Sequence, residues 1–225
     1  MNGLVFDLQL FEGNTLISGT SGDDNIMEFN VENVTIDTGN GNDAIMVECG
    51  ENVVIQSGVG NDKIEMMSLH NITVDAGTGD DYVDLQVGLK NVSITLGDGK
   101  DTLNFSAKGD NTTVNDLNVN DVLCLNTLPT FAKFTNGVLN IGDIAKINLP
   151  NVTNINDYRN MIVNVVSGSS WHGEDLTVVE SITLGELLDA PASYWKVSGT
   201  TATYYDGDGS VILTLTGLKS GLKVV

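Results

Sequence analysis

Carboxylates recur at a fixed spacing in the first half of the chain, each directly after a glycine-containing loop. The last aspartate of each loop lies 19 or 20 residues from the next, at Asp24, Asp43, Asp62, Asp81 and Asp101. Glycine permits sharp corners and close backbone approach, so carbonyl oxygens can face a common point beside the carboxylate. Flexible sets of oxygen ligands are what Ca²⁺ selects, whereas Mg²⁺ demands tighter octahedral geometry. The spacing predicts one calcium-binding loop per repeat.

The charge balance also favours bound cations. The 225-residue chain carries a formal net charge of −20, from 30 acidic and 10 basic residues, and 41% of its residues are hydrophobic. Nucleic acid is disfavoured as a partner because the chain repels polyanions, and the hydrophobic content is too high for plain disorder. Carboxylates about 5 Å apart repel by about 3 kcal/mol per pair at an effective dielectric constant of 20. The alternative is a metal-free solenoid in which each aspartate merely caps a turn.

Other metals fit this chain poorly. The only two histidines are His70 and His172, and no His/Cys cluster with zinc or copper spacing is present. The two cysteines, Cys49 and Cys124, fall several coils apart in the repeat. At about 4.8 Å per coil they are too distant for a disulfide.

The fixed period is typical of a solenoid. An aliphatic residue stands two positions after each aspartate, and a second strand pattern follows in each repeat, so both strands bury one face. A sixth, degenerate copy ends at Asp121, with Leu117 and Val119 in the glycine positions. We therefore expect an all-β fold: a parallel β-solenoid, or β-roll, followed by a mostly-β C-terminal domain. Glu28, at an apolar position of the first copy, predicts a bulge in that end coil.

An asparagine begins the second strand of each coil, at Asn33, Asn52, Asn71, Asn91 and Asn111. Stacked asparagines can hydrogen-bond to one another as a ladder. Four of them also start an Asn-x-Ser/Thr glycosylation motif, but Asn52 does not. Repetition at the coil period, including Asn52, favours the ladder.

The glycine loops resemble the calcium-binding repeats of the repeats-in-toxin (hemolysin-type) proteins, G-G-x-G-x-D-x-U-x, which form a parallel β-roll. The resemblance covers about residues 18–125, in five copies. The candidate metal-site residues are Gly22, Asp24, Gly39, Gly41, Asp43, Gly58, Gly60, Asp62, Gly77, Gly79, Asp81, Gly97, Gly99 and Asp101.

Two departures from the family pattern matter. The first motif glycine survives only at Gly19, and an asparagine turn replaces the motif on the second edge of each coil. The resemblance therefore implies one row of several Ca²⁺ ions along the roll, where the family has two. It also implies a bacterial protein that is secreted or held at the cell surface and folds in extracellular calcium.

The flanking segments give weaker patterns. Residues 1–17 alternate like one strand, which either caps the first coil or is donated to a neighbouring molecule. Residues 126–225 lose the period and suggest a mostly-β region, with a short helix within 181–190 and a hairpin within 195–218 turning at residues 206–209. The stretch 167–175 collects Ser, His and acidic residues, but without a G-x-S-x-G elbow it indicates a polar loop.

These features favour a secreted calcium-binding structural protein whose β-roll folds on Ca²⁺ and supports extracellular or cell-surface self-association, end to end. The alternative is a calcium-rigidified adhesin or carbohydrate-binding module, for which Trp171, Trp195, Tyr204 and Tyr205 would form the glycan platform. Neither H-E-x-x-H nor G-x-S-x-G occurs, so we expect no enzyme activity. No apolar run approaches about 18 residues, so we expect no membrane span. The N-terminus also lacks the basic start of a signal peptide.

Overall fold

The computed structural model describes residues 14–107, 109–127, 129, 131–142, 144–167, 177–189, 194–198, 201–205 and 211–216. Nearly every regular element in this part of the chain is a strand, as expected. Within it, no helix is long and apolar enough to cross a membrane.

A parallel β-solenoid of about six turns forms the first half of the molecule. The early coils use single long strands that continue around one corner, whereas later coils use two short strands. The strands are β1 (Thr15–Ser18), β2 (Asn25–Asp37), β3 (Ala44–Gln56), β4 (Lys63–Asp75), β5 (Tyr82–Leu85), β6 (Lys90–Thr95), β7 (Thr102–Phe105), β8 (Gly109–Val114) and β9 (Val122–Leu125).

Strict register between coils puts like residues on top of one another. Ile45 lies opposite Ile26 on one side and Ile64 on the other, and Ile55 is stacked in the same way between Ile36 and Val74. These inward aliphatic residues form one buried stripe along the solenoid axis. A slip of one residue would turn the whole set outward, so burial fixes the register.

The first coil keeps this register as well. Glu28 pairs with Val47 and Phe29 with Glu48 without a shift, so the expected bulge is wrong. The carboxylate of Glu28 is tolerated because the end coil leaves that inward position half-exposed.

The region after the sixth loop extends both sheets of the solenoid. On one side β12 (Ala145–Asn148) pairs in parallel with β8, and β11 (Val138–Ile141) and β10 (Ala132–Thr135) follow antiparallel. On the other, β13 (Ile162–Ser167) pairs in parallel with β9, and β14 (Thr177–Thr183) pairs antiparallel with β13.

A 3₁₀ helix (Ile155–Tyr158) and the helix α1 (Leu184–Asp189) accompany these strands, and α1 lies where the sequence predicted a short helix. Buried residues of this region, among them Leu139, Ile147, Val163 and Leu187, belong to the same hydrophobic cluster as the coils. The region therefore closes the far end of the solenoid core.

A separate three-stranded antiparallel sheet comprises β15 (Tyr194–Ser198), β16 (Thr201–Tyr205) and β17 (Val211–Leu215). Its β16–β17 pair confirms the predicted hairpin strands. The turn at 206–209, Trp171, most of the polar stretch 167–175 and most of the N-terminal segment 1–17 lie outside the described residues.

Candidate functional site

The glycine loops of neighbouring coils hydrogen-bond directly to one another through their backbones. The N–H of Val59 donates to the carbonyl of Gly39 at 2.8 Å, and the N–H of Gly41 donates to the carbonyl of Val59 at 2.9 Å. The same pair of bonds joins the next loops, so Asn40, Val59, Thr78 and Asp98 form a line of parallel bridges. The structure thus brings four predicted loops, 39–43, 58–62, 77–81 and 97–101, into one stack.

This stacking is why glycine is required two residues before each interior aspartate. Gly60 has a φ of +138°, and a Cβ built there would lie 1.7 Å from the carbonyl oxygen of Gly41. Gly22, the equivalent residue of the first loop, has nothing within 4 Å of such a Cβ and no left-handed φ. The predicted site residue Gly22 therefore lacks the strained geometry of the interior glycines.

The predicted aspartates form a second column inside the loops. From Asp43 onward, each one accepts on Oδ1 the backbone N–H of the aspartate one coil earlier: Asp62 Oδ1 accepts from Asp43 at 2.8 Å, and Asp81 Oδ1 accepts from Asp62 at 2.8 Å. The same bond joins the other neighbours from Asp24 to Asp121. One oxygen of every interior carboxylate is thus satisfied without a metal ion.

The other carboxylate oxygen is different. Four residues of the column are at most 2% exposed, and their Oδ2 atoms are buried without a hydrogen-bond partner. They are Asp43, Asp62, Asp81 and Asp101. An uncompensated buried carboxylate oxygen is costly, so each marks a position for a cation or a proton.

At the two ends of the aspartate column, Oδ2 accepts a backbone N–H from its own loop. In the first loop, the backbone N–H of Thr20 donates to Asp24 Oδ2 at 2.6 Å. In the degenerate sixth loop, the N–H of Asn118 donates to Asp121 Oδ2 at 2.7 Å. The predicted site residue Asp24 therefore already has partners for its carboxylate.

Burial perturbs the pKa values along the column. Desolvation, with smaller contributions from neighbouring aspartates, raises the pKa of Asp81 to about 7 and that of Asp101 to about 6. Desolvation also raises the pKa values of Asp62 and Asp121. The pKa rises furthest at Asp81, first because burial penalises its charged form and second because Asp62 and Asp101 lie on either side of it.

These observations test the fit of Ca²⁺. The unpartnered Oδ2 atoms of the four interior carboxylates are hard oxygen ligands of the kind that Ca²⁺ takes, and the carbonyls of Gly39, Gly58 and Gly77 in the same loops each accept one backbone N–H of a neighbouring loop. Among the described residues, no three His, Cys, Asp or Glu side chains cluster as a metal cage. Any ion here would therefore draw on one or two carboxylates and on backbone carbonyls, and the residues fit that kind of site.

A third column, which was not predicted from the sequence, joins the loops in the opposite direction: the backbone N–H of the later loop donates to a side chain of the earlier one. The N–H of Asn61 donates to Asn42 Oδ1 at 2.7 Å, and the N–H of Asp80 donates to Asn61 Oδ1 at 2.9 Å. Asp23 and Asp80 accept in the same way at the two ends of the column. A sequence pattern could have revealed this column: in four successive loops, Asn or Asp stands directly before the aspartate that recurs every 19 or 20 residues.

The asparagine corner on the other edge is the predicted ladder. Asn52 donates its side-chain amide to Asn33 at 2.9 Å, Asn71 to Asn52 at 3.1 Å and Asn91 to Asn71 at 2.9 Å. All four have φ near +55°, a left-handed conformation that asparagine tolerates. The side chain of Asn111 lies outside the described residues.

A buried polar row on the outward face of the coils was also not foreseen. Asp84 and Asn104 are fully buried, and Asp84 Oδ1 accepts from the side chains of Asn104 and Ser106, both at 2.8 Å. Cys124, the next residue in the row, packs with Val122 and Val166, and burial raises its pKa to about 11. Cys49 and Cys124 are both free thiols.

No family model, curated protein or solved structure matches this chain. The support for the candidate site therefore comes from the geometry of this chain alone.

Proposed function

We propose that this protein is a secreted calcium-binding structural protein whose β-roll is completed by a single row of Ca²⁺ ions. The observation that carries the proposal is the line of four buried Oδ2 atoms without partners, in a chain with a net charge of −20. Bound Ca²⁺ would supply positive charge along this line. The interior aspartates would hold the ions, while the glycines keep the neighbouring loops close enough for their carbonyls to contribute.

Hydrogen bonds within the chain hold the loops of the site in place. Oδ1 of each aspartate fixes the loop before it, and the Asn/Asp column fixes the loop after it. The geometry of the row is thereby set by backbone hydrogen bonds, and the ions are needed to offset charge. Metal binding to such a row would then contribute directly to the folding free energy.

Extracellular calcium, in the millimolar range, suits a roll of this kind, and the resemblance to the hemolysin-type repeats supports a secreted or bacterial cell-surface location. Self-association is part of the proposal. In the described residues, β1 pairs only with Val34–Asp37 of β2, so the edge of Asn25–Phe29 has no strand beside it. Leu16, Met27 and Phe29 are exposed at this same end, and unpaired edges favour strand addition.

The test is circular dichroism and sedimentation velocity of the full chain in EGTA and then in millimolar CaCl₂, with MgCl₂ as the matched control. We expect loss of β-sheet signal and an expanded monomer in EGTA, with recovery in Ca²⁺ but not in Mg²⁺. Full β-sheet content in excess EGTA at pH 7 would contradict the calcium proposal. Large species that form only in Ca²⁺ would support self-association, whereas a compact monomer at all protein concentrations would contradict it.

A second candidate is a glycan-binding module in the C-terminal sheet. The backbone register sets Trp195 opposite Tyr204 and Tyr194 opposite Tyr205. A glycan array probed with the full chain and with Trp195→Ala tests it: binding lost in the variant supports a platform, and absence of any bound glycan removes it.

A further inference from the structure

The six loops that the aspartate column joins, from the loop ending at Asp24 to the loop ending at Asp121, have five interfaces between them, and these interfaces are not equivalent. At four of them the later loop contributes a buried aspartate with an unpartnered Oδ2: Asp43, Asp62, Asp81 and Asp101. At the fifth, between the loops ending at Asp101 and Asp121, Oδ2 of Asp121 is occupied by the N–H of Asn118. The difference lies in where one backbone N–H points.

In the interior loops, that N–H is directed to the neighbouring coil. The N–H of Asp98, the residue equivalent to Asn118, donates to the carbonyl of Gly77 at 3.0 Å. Its loop contains Gly97 and Gly99, at φ of +95° and +154°. Because the N–H of Asp98 is directed to the preceding loop, the carboxylate of Asp101 is left with one oxygen that has no hydrogen-bond partner.

The sixth loop cannot follow that path. Leu117 and Val119 replace the two glycines, and neither has a left-handed φ. The chain instead forms a tight turn, in which the N–H of Asp121 donates to the carbonyl of Asn118 at 3.1 Å. The turn aims the N–H of Asn118 inward at the carboxylate, where it takes the place that a cation would otherwise have.

A second carboxylate joins the sixth loop to the fifth. Asp116 accepts the N–H of Leu96 on Oδ1 and the N–H of Gly97 on Oδ2, both at 2.8 Å. At the opposite end of the stack, Thr20 closes Asp24 with its N–H and also with its hydroxyl, at 3.1 Å. The Oδ2 atom of each end carboxylate is thus satisfied within its own loop.

We infer that the first and sixth loops are built-in stops, so that the row holds four cations and does not continue onto a second molecule. The inference rests on the proposed function, and it adds the number of ions and the residues that limit them. It also means that end-to-end association occurs through the strand edges and not through ions shared between the end loops of two molecules.

Calcium titration of the full chain by calorimetry, with matched Asp→Asn variants, tests the stops. Asparagine keeps an Oδ1 that can accept the inter-coil N–H but loses the charge. We expect a stoichiometry of four in the parent chain and in Asp24→Asn and Asp121→Asn, and of three in Asp62→Asn. A parent value other than four, or a lower value in either end variant, would overturn the inference.

The outcomes separate this inference from the proposed function. If the parent chain binds no Ca²⁺, the proposed function itself fails. If it binds five or six ions and the end variants each lose one, the calcium row stands and the stops do not. Sedimentation of Asp24→Asn in Ca²⁺ gives a readout of association, which we expect to equal that of the parent chain; weaker association would show ions shared between molecules.

A gain of one site is the sharper test. Leu117→Gly with Val119→Gly turns residues 117–121 from LNVND into GNGND, the sequence of the interior loop 39–43. We expect five ions in this variant, because the N–H of Asn118 is released from Asp121. Leu117 is buried, so circular dichroism in Ca²⁺ must first show that the variant folds. A folded variant that still binds four ions contradicts the assignment of the stop, and the Asp→Asn series decides the matter if it does not fold.

Discussion

The two corners of each coil stack in the same register but satisfy their side chains in different ways. An asparagine amide both donates and accepts, so Asn33, Asn52, Asn71 and Asn91 close a ladder among themselves. An ionised carboxylate only accepts, so each of the four interior aspartates takes one backbone N–H on Oδ1 and has no donor for Oδ2. The neutral corner is therefore complete as folded, whereas the acidic corner has one unsatisfied oxygen at each of four interfaces.

The largest effect should come from filling the space between the stacked glycine loops. Gly60→Ala places a Cβ against the carbonyl of Gly41 at a φ of +138°, so we expect a loss of about 3 kcal/mol or more in the free energy of unfolding in Ca²⁺. Gly22→Ala, at the equivalent position of the open first loop, should change it by less than about 0.5 kcal/mol. Urea denaturation measures both. Similar losses in the two variants would mean that loop stacking does not account for the glycine.

The pH dependence of the metal-free protein should distinguish the acidic corner from the neutral one. Burial raises the pKa of Asp81 to about 7 from its usual 3.8, so the folded state holds a proton that the unfolded chain has released. Stability from this group is full below about pH 4 and is lost as pH rises towards 7. The metal-free chain, which we expect to be unfolded in EGTA at pH 7, should therefore regain β-sheet structure as the pH falls, with a gain in the free energy of unfolding of up to about 1.4 kcal/mol per pH unit for each such carboxylate. Asp81→Asn should flatten the slope, and a metal-free roll that gains stability between pH 4 and 7 would contradict this account.

Replacing one asparagine of the ladder with aspartate should create there the same unsatisfied acceptor oxygen that the aspartate corner has. Asn52→Asp removes the amide that donates to Asn33 and leaves an acceptor facing an acceptor. We expect a loss of about 1–2 kcal/mol in the free energy of unfolding at pH 7, and a smaller loss at pH 3, where the new carboxyl can donate. Asn52→Ser, which removes the ladder amide without adding charge, is the control. A pH-independent loss in Asn52→Asp would show that the ladder's donors do not matter.

The smallest effect concerns the other left-handed position of the neutral corner. Cys49 has a φ of +59°, a conformation that costs a non-glycine side chain roughly 1 kcal/mol. Cys49→Gly should therefore stabilise the roll by about 0.5–1 kcal/mol, measured as a rise in the denaturation midpoint. Cys49→Val, β-branched and poorly suited to this φ, should destabilise it. Equal midpoints in all three chains would indicate that backbone strain is relieved elsewhere in the turn.

The periodic half of the molecule could be predicted in detail because each coil repeats the same local pattern. The inward positions Ile45, Ile55 and Val74 and the asparagine ladder follow from register alone. The expected bulge at Glu28 was wrong, because pairing with the next coil outweighs a single polar residue at an open end. The non-periodic region was predicted only as mostly β with one short helix, since its partners come from distant parts of the chain.

The sequence by itself determined the coil, its period, its inward face and the column of aspartates, since these depend on residue type at a repeated spacing. Tertiary structure decided which carboxylate oxygens lack a partner, that Thr20 and Asn118 close the two ends, and that Asp84 and Asn104 are buried on an outward face. It also decided that β12 and β13 extend the two sheets of the roll. These features depend on the direction of individual N–H groups and on contacts between distant segments, and spacing along the chain encodes neither.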